Sequence, residues 1–305
     1  NSFSNESGIY NPIDAVTEIA IDTTGINHLT EGTVYKSSNQ IPSWPVSISL
    51  VDVLDANLTI RYPDSPSPHT RWLDGHEFTG EEHIYRLDDN SLASIYTEIH
   101  SSFQRDELSR ITAEALSRIP IELRGESDYK IVIMNEAFMQ GHGGYAKDGT
   151  IVLSSEEVNG GHDHYEELLA HEIAHITLDW IINQELDAWT EAREKDNHQW
   201  ISSYAFKNPL TEDIPETINP WLAIMHHRDP SQLSADDRIY LRDSLDFAQN
   251  RYQFLASNVF NIHDFSDYIQ EKSWLFSPFA TISSNDSSLT QGESALIKYL
   301  LAQIP

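Results

Sequence analysis

The 305-residue sequence predicts an α+β fold, in which a small β-rich N-terminal region precedes a larger mixed domain. Three observations lead there. Short alternating stretches broken by prolines fill the first 69 residues. Two apolar runs with β-branched residues, Lys130–Met134 and Thr150–Ser154, stand mid-chain. Around and after them, apolar residues recur at spacings of three and four.

Taken in order, Val46-Ser47-Ile48-Ser49-Leu50 and Leu58-Thr59-Ile60-Arg61-Tyr62 alternate, and residues 16–21 do so weakly. Pro42, Pro45 and a proline cluster at 63–68 punctuate them, so residues 1–69 are expected to form a β-rich region closed by a linker. From 92 to 119 the spacing turns helical: Leu92, Ile95, Tyr96, Ile99 and Phe103, then Leu108, Ile111 and Leu116. After the first apolar run comes Gly141-His142-Gly143-Gly144, expected to be a tight turn because no Lys-Ser/Thr follows to make a phosphate cradle. The second run, Thr150–Ser154, is expected at a sheet edge, available to pair with an extended peptide. Gly160-Gly161 then breaks the chain. Residues 165–183 read as one amphipathic helix, with Leu169, Ile173, Ile176 and Trp180 as its core stripe. Further helices are expected over 187–196, from Thr211 as N-cap with Pro215 tolerated near the first turn, and over 236–257. The mixed domain thus spans 70–262. A Ser- and Asp-rich tail, 263–305, ends in a short amphipathic run at 294–301.

Charge and composition exclude several function classes. With 19 basic against 48 acidic residues the formal charge is −29, which repels phosphate backbones and anionic headgroups. No apolar run reaches the roughly 18 residues a membrane span needs. The absence of cysteine removes disulfides, thiol nucleophiles and sulfur-ligated metal sites. A chain that starts at Asn1 is expected to be a processed or trimmed product, and a composition without cysteine fits an exported protein as well as a cytosolic one; a monomer, secreted or at the cell surface, is expected.

The helix over 165–183 contains His171-Glu172-Ile173-Ala174-His175. At about 100° per residue the two imidazoles share one face, one turn apart. They can bind one metal ion, with Glu172 in reach of a water on it, which is the H-E-x-x-H pattern of zinc hydrolases. In so His- and acid-rich a chain the pattern arises by chance in about one shuffled sequence in twenty, so the residues downstream decide. A hydrolytic zinc takes three protein ligands. The solution with Gly and His further along the same helix is excluded, because Leu178 and Ile181 stand there. Two carboxylates remain. Glu194 is the nearer; Glu212 is followed one turn later by Glu216, which can hold a ligand ring by its second nitrogen. Tyr204 can place a phenol where an oxyanion forms. Asp179, one turn past His175, is open between orienting a ligand and facing solvent. His162, His164, His226 and His227 are expected at the surface.

Together, His171-Glu172-x-x-His175-x-x-Leu178-Asp179, Trp200-Ile201-Ser202-x-Tyr204-Ala205, Glu212-Asp213-x-x-Glu216 and Pro220-Trp221-Leu222-Ala223 resemble a group of secreted gluzincin metallopeptidases, distantly similar to the catalytic domain of anthrax lethal factor. The resemblance covers residues 71–252. It implies a zincin-like catalytic domain, a bound Zn2+ with His171, His175 and Glu212 as ligands, Glu216 behind them, Glu172 as general base and Tyr204 as the transition-state phenol. The implied partner is a peptide or protein substrate. Two departures stand out: Pro215 where such proteins usually carry Ala, and the His- and acid-rich segment 162–165. A rival from another class is an extracellular binding or adhesion protein in which zinc only staples the fold, with 7 Trp and 13 Tyr as stacking faces. An exopeptidase is a third reading.

Overall fold

The computed structural model describes residues 44–59, 77–98, 102–125, 129–135, 139, 143–147, 149–159, 162–197, 199–227 and 233–272. Its sheet begins with β1 (Ser49–Thr59), which runs antiparallel to β2 (Glu77–Arg86). β3 (Leu92–Glu98) continues antiparallel to β2. The chain then crosses over through α1 (Ser102–Arg118) and α2 (Ile121–Arg124), so that β4 (Lys130–Met134) lies parallel to β3. β5 (Gly144–Lys147) and β6 (Thr150–Ser154) form a hairpin whose Gly149 takes φ +73°. β6 inserts parallel to β4, giving the order β1-β2-β3-β4-β6-β5.

The central strands explain their own sequences. Ile131 and Ile133 of β4 and Ile151 and Leu153 of β6 face the main core beneath the helices. Val132, Met134 and Val152 face a second cluster with Phe78, Tyr96 and Met139. Strands covered on both faces carry unbroken apolar runs.

The helices follow as α3 (Ser155–Asn159), α4 (His162–Thr177), α5 (Asp179–Gln184), α6 (Leu186–Lys195), α7 (Ser203–Lys207), α8 (Asp213–His226), α9 (Ala235–Phe247), α10 (Gln249–Asn258) and α11 (Phe265–Glu271). α4 packs against β5 on one side and α8 on the other. Leu169 and Ile173 are sealed in the core, and Ile176 and Trp180 pack against it.

The mixed α+β expectation holds, with several corrections. Residues 92–98 form a strand instead of helix: Ile95, Tyr96 and Thr97 pair with Ile131, Val132 and Ile133, and this parallel pairing overrides the local three-four spacing. β6 is interior, flanked by β4 and β5, so among the described residues the edge on that side is β5. Its signal in the sequence was the Asp148-Gly149 dipeptide, a hairpin turn pair. The 165–183 helix breaks at Leu178, after Thr177 turns its hydroxyl back onto the Ile173 carbonyl (3.0 Å), and the 236–257 helix breaks at Ala248. At α8 the capping position is Glu212, not Thr211. β1 also pairs with β2, which lies beyond the expected boundary at residue 69, so strands from both sides of it share one sheet. Residues 16–21, the proline cluster and 294–301 lie outside the described residues.

Candidate metal centre

His171 and His175 stand one turn apart on α4 with their rings 4.8 Å apart and nearly perpendicular. Their Nε2 atoms are 3.1 Å apart. Glu212 Oε2, arriving from the start of α8, lies 3.2 Å from each. The three donors therefore make a nearly equilateral triangle. A tetrahedral zinc with bonds of about 2.0–2.1 Å sets donor separations of about 3.3–3.4 Å. Two imidazole nitrogens and a carboxylate oxygen at this spacing fit such an ion. Among the described residues three donor residues gather here, one fewer than a closed structural site takes. Glu194 is exposed on α6 and takes no part.

The loop before α8 carries Glu212 into place. Asn208 closes α7 through its N–H to the Tyr204 carbonyl (3.1 Å), and its own carbonyl accepts the Glu212 N–H (2.9 Å). Beside Glu212, Asp213 is fully enclosed: it accepts from Trp189 Nε1 (2.8 Å) and Arg251 Nη1 (3.0 Å), with Arg193 Nη1 at 3.3 Å. Arg251 also holds Asp196 (3.1 Å) and the Gln199 carbonyl (2.7 Å). One buried guanidinium thus ties the approach to α7 to the first turn of α8.

Behind the triangle, His171 Nδ1 faces Glu216 Oε1 at 3.3 Å, and Glu216 is 0% exposed. A carboxylate there favours hydrogen on Nδ1 and frees Nε2 as a donor to metal. Glu216 Oε2 in turn accepts from Ser202 Oγ (2.5 Å). Glu172 is buried on the same helix, directly under β5: a Cβ at Gly144 would lie 2.8 Å from its Oε1. A side chain at this position would have to displace the Glu172 carboxylate, which glycine leaves where it is. Tyr204 is 38% exposed on α7, where Glu212 and Glu172 both act on its phenol.

The electrostatics follow from this crowding. Burial opposes charge on His171, yet hydrogen bonding to Glu212 and Glu216 raises its pKa to about 10. Burial likewise opposes the Glu212 charge, but hydrogen bonds with His171 and His175 hold it well below the usual carboxylate range. Glu172 is raised, chiefly by burial, with the nearby histidines opposing. Tyr204 is raised by burial and by Glu212, and Tyr145 on β5 is pushed up to about 12 by burial and by Glu172.

The structure thus brings His171, His175, Glu212, Glu172, Tyr204 and Glu216 together. It does not bring Asp179, which is exposed and accepts from Asn183 (2.6 Å). His226 is half-buried with its ring 4.8 Å from that of Trp44, and His227 is buried beneath the end of α8, so the expected surface placement fails for His227. The side chains of His162 and His164 lie outside the described residues. Sequence reasoning gave no role to Ser202 or Gly144; only the unexplained serine of the Trp200-Ile201-Ser202 motif and the second glycine of a pair marked them. A second grouping, Glu81, His83 and Asp106, is a different kind of cluster. Its carboxylates face opposite ring nitrogens (3.4 and 4.0 Å), and Arg105 already pairs with Glu81 at 2.9 Å.

No protein-family model matches this sequence, and no curated protein or solved structure matches it either.

Proposed function

We propose that the protein is a zinc metallopeptidase of the gluzincin type with a zincin-like catalytic domain, acting outside the cell. The observation that carries this reading is the triangle of His171, His175 and Glu212, with Glu172 beside it and Glu216 behind it. A zinc ion held there would acidify water and polarise a carbonyl. Glu172, raised by burial, takes the proton of the attacking water and delivers it to the leaving amine. The Tyr204 phenol, kept protonated by burial and by Glu212, donates a hydrogen bond to the developing oxyanion. Glu216 holds the His171 ring so that Nε2 faces the metal position. An extended peptide pairs with the outer edge of β5, the last strand of the sheet among the described residues, whose Gly144 backbone lies over Glu172, so main-chain pairing delivers the scissile bond to the base.

The test is cleavage of an internally quenched peptide blocked at both ends, by protein carrying one zinc per chain. Cleavage that stops on chelation and returns with zinc is expected. One bound zinc with no cleavage across a diverse peptide library would instead support the stapled binding protein, and cleavage confined to peptides with a free terminus would support the exopeptidase.

A further inference from the structure

We infer that Ser202 is a positioning residue that sets the His171 ring and the Tyr204 phenol together; the inference rests on the metallopeptidase reading. A serine hydroxyl has one proton and two lone pairs. Here the proton goes to Glu216 Oε2 at 2.5 Å, a length typical of a hydroxyl donating to a carboxylate. The oxygen accepts the backbone N–H of Ala205 at 3.0 Å. Ser202, Ala205 and Glu216 are all buried, so water offers neither partner a substitute.

The two bonds lead to different parts of the site. Through Glu216 the hydroxyl fixes the carboxylate whose other oxygen faces His171 Nδ1 at 3.3 Å. Through Ala205 it caps α7, with Ser202 itself in extended backbone. A helix of five residues is too short to sustain itself, so the Ser202 cap at one end, with Asn208 at the other, helps to hold Tyr204. The chain before Ser202 has little freedom to compensate. Arg251 grips the Gln199 carbonyl at 2.7 Å, and the Arg193 guanidinium lies 4.3 Å from the centre of the Trp200 ring. One oxygen atom therefore links the orientation of a proposed zinc ligand to the placement of the proposed oxyanion donor.

The experiment compares wild type, S202A, S202T, E216A and S202A/E216A. Zinc affinity is measured by chelator competition, the absorption spectrum after Co2+ substitution, kcat and KM on the quenched peptide, and thermal stability alongside. Expected is a loss of zinc affinity in S202A of about tenfold to a hundredfold, an altered cobalt spectrum, and a fall in kcat with KM nearly unchanged. S202T restores all three. S202A/E216A binds zinc no more weakly than E216A, because the serine acts through that carboxylate. An S202A protein with only a lowered melting temperature, its zinc affinity, cobalt spectrum and kcat at wild-type values, reduces Ser202 to a helix cap and overturns the inference alone. A wild type that takes up no zinc overturns the metallopeptidase reading and the inference with it.

Discussion

At the scale of single residues, the site is a set of groups whose charges are set by one another. In the metal-free protein, hydrogen bonds to Glu212 and Glu216 outweigh the burial of His171 and raise it to about 10. Its unfolded value lies near 6.5, so the stabilisation this gives is fully present below about pH 6.5 and is lost as pH rises through about 10. At pH 7 the ring is therefore protonated, and under the proposed zinc site that proton would have to leave on metal binding. Calorimetric titration with Zn2+ in buffers of different ionisation enthalpy should show proton release at pH 7 that fades toward pH 10; no release at pH 7 contradicts the assignment. Glu172→Gln should keep the metal and lose about 10²–10⁴ in turnover. Undiminished peptide cleavage by that variant refutes its role as base. Glu212→Ala should empty the site while Glu194→Ala leaves it loaded, as read by metal analysis. The residues that the sequence exposed were those local in the chain: His171, Glu172 and His175 sit on one helical turn and a half, where spacing alone fixes geometry. Glu212 and Glu216 shared a turn of their own, but only the packing of α8 on α4 decides that they meet the histidines.

At the scale of elements, strand edges and helix ends carried what spacing could not. The register of β5 against β6 sets Gly144 opposite Leu153 and lays a backbone with no side chain on Glu172. Gly144→Ala should therefore push the Glu172 carboxylate aside: the proposed peptide cleavage falls about tenfold or more, with thermal unfolding nearly unchanged because the strand itself tolerates alanine. Wild-type activity in that variant would mean that the strand yields freely. The same edge was misassigned from sequence because apolar content marks a strand but not its neighbours, and β6 reads alike at an edge or in the interior. Residues 92–98 show the converse: their spacing fitted a helix, and only pairing with β4 decides for a strand. A second element-scale device is the Arg251 clamp between Asp196 and Asp213, all three buried. Arg251→Ala leaves two carboxylates without their shared cation, and a loss of about 3–5 kcal/mol in urea unfolding is expected.

At the scale of the whole molecule, a formal charge of −29 works against compaction. Added salt screens that repulsion, so the melting temperature should rise between low ionic strength and about 0.5 M NaCl, beyond which the Debye length is only a few ångströms. Under the proposed zinc site, a bound ion would add to this, and stripping it with a chelator should lower the melting temperature reversibly. Fold class was legible because alternation and helical spacing are local signals. The single sheet that joins β1 to the strands around the site was not, because a proline-rich connection reads as a boundary whether or not the strands flanking it pair. The bare backbone at Gly144 has one more consequence. If a bound polypeptide is seated by its amide groups along that strand, the machinery is indifferent to much of what the polypeptide's side chains say. Cleavage preferences should then look diffuse when many peptides are aligned, while N-methylation of one amide near the cut should stop turnover where side-chain exchanges at the same place barely slow it.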